Sequence, residues 1–137
     1  MNKTLVVLLD DDGGMMYNNR RQSRDRELIS ELMQSVSGTV HIAQYSNQLF
    51  LTYPDRISVC EDPLGQCGDG GICLIEDPRL IRSLDGVSTL IIYRWGKLYP
   101  KDLSFSYSPE CEGFTLAEES NLVGSSHDKI WKGIYKR

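Results

Sequence analysis

The chain predicts a single α/β domain, residues 1–137, built on a mainly parallel sheet with antiparallel C-terminal strands. Three observations carry that expectation. Leu5-Val6-Val7-Leu8-Leu9 is apolar without alternation, as in a strand covered on both faces. Strand-like and helix-like stretches alternate after it, which is the pattern of strand–helix–strand units. The last third is rich in β-formers and lacks helical periodicity, which suits antiparallel pairing at the sheet's end.

Each element has a local reason. The opening strand stops at Asp10-Asp11-Asp12-Gly13-Gly14, residue types depleted in strands. Residues 15–22 read as a polar loop, with Asn18 and Asn19 suited to tight turns. Ser23 is the expected helix N-cap, with Asp25 and Glu27 in the first turn, where the helix dipole favours acids. Leu28, Ile29, Leu32, Met33 and Val36 then share one helical face, and Gly38 marks the stop. Residues 39–43 form the next expected strand, and 46–51 a short helix broken before Pro54. Residues 57–60 suggest a brief strand, 61–71 a glycine-rich loop, and 72–76 a buried strand. Asp77-Pro78 opens a helix of one or two turns, with proline near the first helical position. Residues 88–93 are strongly β, and Leu103, Phe105 and Tyr107 alternate with serines as in a half-exposed strand. Residues 114–119 and 129–136 complete the set as an antiparallel pair.

Composition narrows the function classes. Hydrophobic residues make up 40% and charged residues 25%, the balance of a folded domain rather than a disordered tail. A net charge of −4 argues against broad, sequence-blind binding to nucleic acid. No apolar run approaches the roughly 20 residues of a membrane span, and residues 1–12 do not form a secretory signal, so a cytoplasmic location is expected. Cys60, Cys67, Cys73 and Cys111 lack the close pairing of a structural zinc site, and in that compartment they read as thiols.

Several constellations carry chemistry. Asp10, Asp11 and Asp12 at a strand's carboxyl end are candidate metal ligands, because clustered carboxylates offer hard oxygens to Mg²⁺. The favoured reading is structural: one aspartate caps a turn while the others are solvated or pair with the nearby arginines. Residues 20–26 hold four arginines in seven positions, unusual in an acidic chain. Arg20, Arg21, Gln22, Ser23, Arg24 and Asp25 are therefore the candidate ligand-binding set, because guanidinium forks and a helix N-terminus both favour anions. Pairing of these arginines with Asp10, Asp11, Asp12 or Glu27 is the structural alternative. Ser125-Ser126-His127-Asp128 invites comparison with a catalytic triad, but sequence neighbours seldom align as one, and a turn with local hydrogen bonds is the simpler expectation. Arg94 and Trp95 are secondary candidates within an aromatic strand region that also includes Tyr93, Tyr99, Phe105 and Tyr107.

The order of these pieces resembles the dihydrofolate reductase fold in a reduced form. A hydrophobic strand meets acidic and glycine residues, then an Asn-containing loop, an amphipathic helix and a strand ending near Tyr45-Ser46, and the chain closes on an antiparallel hairpin. A closer resemblance is to a group of short Firmicute proteins labelled ribonuclease Z. These carry Asp-Asp-x-x-Gly-Met-x-x-Asn-x-Arg-Arg-Gln-Ser-x-Asp, a late Tyr-Arg-Trp, and Gly-Ser-Ser-His near the end. Here those segments are residues 10–25, Tyr93-Arg94-Trp95 and residues 124–127.

Neither resemblance transfers its chemistry intact. Ribonuclease Z zinc chemistry needs a His-x-His-x-Asp-His cluster, whereas His41 and His127 are the chain's only histidines. The reductases' Gly-Arg-x-Thr phosphate element is replaced by Ala43-Gln44-Tyr45-Ser46, and their late Gly-Gly is missing. The resemblance therefore implies the scaffold without dinucleotide reduction, and no cofactor is expected. The expected function is binding of an anionic small molecule, a nucleotide or a protein partner beside residues 20–26. One alternative is metal-dependent phosphoester hydrolysis, RNA included, through Asp10, Asp11 and Asp12 with Mg²⁺, or with His41 and His127 as acid and base. A structural interaction module that forms homodimers is the other.

Overall fold

The unbroken apolar run near the N-terminus forms β1 (Lys3–Leu9), the middle strand of a seven-stranded sheet. The computed structural model describes residues 2–137. After β1 come β2 (Gly14–Tyr17), β3 (Arg20–Arg21), α1 (Arg26–Ser35), β4 (Val40–Ile42), β5 (Ile57–Val59), α2 (Pro63–Gln66) and β6 (Ile72–Leu74). The chain ends with β7 (Val87–Arg94), β8 (Leu103–Ser104), β9 (Thr115–Leu122) and β10 (Ile130–Lys136). Short 3₁₀ turns occupy Gln44–Phe50, Pro54–Arg56 and Pro78–Leu80.

The main sheet runs β5-β4-β6-β1-β7-β10-β9. Its first five strands are parallel, while β10 pairs antiparallel with β7 and with β9. This is the expected α/β class, with a mainly parallel sheet and antiparallel C-terminal strands. Successive side chains of a strand point to opposite faces, so β1 feeds two cores at once. Leu5, Val7 and Leu9 pack with Ile75, Leu84, Leu90, Ile92 and Phe114. Val6 and Leu8 face the other way, onto Leu28, Leu32 and Met33 of α1 with Ile91 and Tyr93 of β7.

Several local expectations are corrected. Residues 15–22 are no loop. Asn18 and Asn19 both adopt positive φ (53° and 59°), the left-handed pair that turns one strand tightly into the next, so β2 and β3 form a hairpin that pairs with β8. Met15 and Met16 are buried beneath it. The cap of α1 is Asp25 rather than Ser23; Asp25 is extended and its carboxylate accepts from the N–H groups of Glu27 and Leu28. The helix ends at Ser35, before Gly38, because Val36 is already extended. Residues 61–71 contain the single turn α2, capped by Asp62. The expected strand through Phe105 and Tyr107 is only Leu103–Ser104, and both rings instead pack on the core face that β1 shares with β7. All four cysteines are free thiols, and burial pushes the Cys73 thiol up.

Candidate functional site

The three motif segments singled out in the sequence meet at one place. The loop after β3 brings Ser23, the start of α1 brings Asp25, the end of β7 brings Trp95, and the β9–β10 loop brings Ser125, Ser126 and His127. His127 is the centre. Its Nδ1 lies 2.9 Å from Asp25 Oδ2, and its Nε2 lies 3.0 Å from Ser23 Oγ and 2.9 Å from Tyr99 OH. Trp95 stacks on the imidazole with 4.7 Å between ring centroids. The side chains of His127 and Asp25 are 2% and 0% exposed, so both polar groups must find their partners within the protein.

Asp25 holds the assembly together. Besides the helix N–H groups and His127, its carboxylate accepts from the backbone N–H groups and hydroxyls of Ser125 and Ser126. Burial alone would raise its pKa, but the His127 bond and these N–H donors outweigh burial and hold the carboxyl well below the usual carboxylate range. The positive end of α1 is thus filled by the protein's own carboxylate. The sequence expectation of an open helix terminus waiting for an anion is corrected accordingly.

The remaining predicted residues divide. Arg21 turns inward, donating to both oxygens of Glu76 at 2.8 and 3.1 Å and stacking over Tyr45 at 4.4 Å. Its partner is therefore Glu76, not the aspartates or Glu27. Gln22 Nε2 donates to Asp10 and to the Pro100 carbonyl, leaving Gln22 Oε1 buried without a donor among the described residues. Arg20 is exposed beside a cleft of about 490 Å³ lined with Tyr17, Asn18 and Tyr99. Arg24 and Arg26 are exposed on the other side, where α1 meets Gln48 and Leu49 across a cleft of about 470 Å³ floored by Ser125 and Ser126. Neither guanidinium has an ion-pair partner among the described residues.

The aspartate run does not converge. Asp10 is buried and accepts from the N–H groups of Asp12, Gly14 and Tyr99, from Gln22, and from Lys101 at 3.0 Å. Burial would raise it, yet the Gly14 N–H, Lys101 and the other donors bring it down to about 2. Asp11 accepts from the Gly96 N–H, and Asp12 projects into solvent. Among the described residues no three His, Cys, Asp or Glu side chains gather so as to hold a metal ion. Asp10, Asp11 and Asp12 thus face different surroundings rather than one shared point. His41 lies in β4, which β6, β1 and β7 separate from β10, and shares no hydrogen-bond partner with His127 among the described residues. Arg94 donates to the Asp10 carbonyl, and Trp95 is buried.

Sequence reasoning missed Tyr99, Lys101 and Glu76. Each reaches its partner across 28 residues or more, and none carries a local motif.

The chain has a dihydrofolate reductase-like α/β fold. The structure of dihydrofolate reductase from Enterococcus faecalis, complexed with NADP(H) and RAB-propyl, is similar over 98% of this chain and 95% of that chain. The TM-score is 0.69 and the sequence identity 9%, a likeness of fold alone. No protein-family model matches the sequence, and no curated protein matches it.

Proposed function

We propose that the protein binds a small anionic ligand, bearing phosphate or carboxylate, in the cleft beside Arg24 and Arg26. The observation that carries this reading is a difference among the arginines. Arg21, Arg79, Arg56 and Arg137 are engaged by carboxylates or backbone carbonyls. Arg24 and Arg26 stand without such partners on the rim of a cleft of about 470 Å³, room enough for a small ligand. Two guanidinium groups two residues apart can grip one anion bidentately. Because Asp25 occupies the helix end, attraction comes from the guanidinium groups themselves. NADP(H) held by a protein of the same fold is a reason to include nucleotides among the trial ligands.

Thermal melting tests the reading. Nucleotides, inorganic phosphate and dicarboxylates are each titrated against native protein and against Arg24→Ala/Arg26→Ala. At least one is expected to raise Tm in native protein, by an amount that falls with salt and vanishes in the double variant. A rise that survives the double substitution, or no rise with any anion, overturns it.

A further inference from the structure

Ser23, His127 and Asp25 stand in one line: hydroxyl to Nε2 at 3.0 Å, Nδ1 to carboxylate at 2.9 Å. We propose that Ser23 is a nucleophile, activated by His127 and positioned through Asp25, that transfers the acyl group of negatively charged carboxylic esters to water. Only the preference for charged esters rests on the anion-binding reading.

Two segments far apart in sequence supply the groups: the lead-in to α1 gives Ser23 and Asp25, and the β9–β10 loop gives His127 between them. The sequence neighbours Ser125, Ser126 and Asp128 are not the set; the hydroxyl and the carboxylate lie about 100 residues away, on either side of Arg24. Asp25 already accepts from backbone N–H groups on two segments, so it faces His127 as an ionised acceptor. The proposal assigns the proton of the Asp25 contact to His127 Nδ1, so that Nε2 is the nitrogen that accepts from Ser23 Oγ. Stacking on Trp95 holds the ring in that plane. Burial requires a partner for each ring nitrogen, and a carboxylate on Nδ1 with a serine hydroxyl on Nε2 is the pairing that a general base uses. Here the hydroxyl sits on a partly exposed residue whose neighbour Arg24 rims the cleft. Tyr99 OH, 2.9 Å from the same Nε2, competes with Ser23 for the lone pair.

In the proposed step, Ser23 Oγ attacks the ester carbonyl carbon while its proton passes to His127 Nε2. The carbonyl electron pair moves onto oxygen, and the Ser23 and Arg24 backbone N–H groups, without partners among the described residues, are the nearest donors along the chain. Collapse breaks the bond to the alkoxide, which leaves with the proton from Nε2. Water then attacks the acyl-serine, giving its proton to Nε2, and the acid departs as Oγ–H is restored.

Labelling with a fluorophosphonate, followed by peptide mass spectrometry, tests the nucleophile. Native protein is expected to carry the adduct on Ser23, Ser23→Ala to carry none there, and Tyr99→Phe to label faster as the competitor is removed. His127→Gln is expected to label at least about tenfold more slowly. No adduct on Ser23 in native protein overturns the proposal, as does unchanged labelling in folded His127→Gln. If His127→Gln fails to fold, the native adduct and the Tyr99→Phe rate decide. Hydrolysis of p-nitrophenyl acetate and of mono-p-nitrophenyl succinate tests the charge preference separately. Faster turnover of the succinate ester, lost in Arg24→Ala/Arg26→Ala, supports it. Equal turnover of the two esters by a protein that still labels at Ser23 overturns the anion preference and leaves the nucleophile standing.

Discussion

Asp10 and Asp25 are both enclosed carboxylates, and each stays ionised only because donors surround it. Their acid response follows from the sign of the shift. A carboxyl whose folded pKa lies below its ordinary 3.8 contributes stability that is fully present above that value and is lost as pH falls toward the folded value. Stability from urea denaturation is therefore expected to be flat from neutral pH to about 5 and to fall below about 4, where the unfolded chain takes up protons while folded Asp10, down to about 2, and folded Asp25, lower still, remain ionised. Asp10→Asn should flatten part of that acid limb and cost about 1–3 kcal/mol at pH 7, since Lys101 and three backbone N–H groups lose their ionised acceptor. An unchanged acid limb would show that Asp10 titrates alike in both states. Gly124 makes a second point at this scale. A Cβ there would run into the Asp25 carboxylate, so Gly124→Ala should lower stability and weaken Ser23 labelling together. The arginine cluster was visible as a composition anomaly, but which guanidinium turned inward was decided by Glu76, 55 residues from Arg21.

The helix α1 is the element whose reading needed least tertiary help. Leu28, Ile29, Leu32 and Met33 are its buried residues, the same face that helical spacing marks out. Leu32 is fully buried between helix and sheet, and Leu32→Ala is expected to cost about 2–5 kcal/mol in urea denaturation. On the polar side Glu31 is not idle surface. It accepts from Lys132 Nζ at 2.9 Å and from Tyr93 OH, tying α1 to β10 and β7. The β2–β3 hairpin was hidden for the opposite reason. Four and two residues are too few for a period to register, and the buried pair Met15-Met16 sits among polar neighbours. Only the Asn18-Asn19 dipeptide signalled it, as a turn without strands. The cap moved from Ser23 to Asp25 because both residue types cap helices well; the choice fell to the β9–β10 loop, which supplies Asp25 with further donors.

Across the whole molecule, order should decline outward from the sheet's centre. β1 is hydrogen-bonded on both sides, to β6 and β7, and buried on both faces, whereas β9 pairs only with β10 and is exposed along nearly its whole length. Amide exchange is expected to be slowest in β1 and β7 and much faster on the outer side of β9. Equal protection in β9 would mean that another chain covers it. Glu118 and Glu119 on that edge oppose such pairing by charge. By itself the sequence determined what depends on near neighbours along the chain: the doubly covered β1, the amphipathic α1, the β-rich closing hairpin, and so the α/β class. Burial of both faces leaves a continuous apolar run, and burial of one helical face leaves a periodic one. Only the tertiary structure decided the site. Which aspartate receives which donors, which arginine stays free, and that His127 reaches across to Ser23 and Asp25 depend on contacts spanning about 100 residues, which no local pattern encodes.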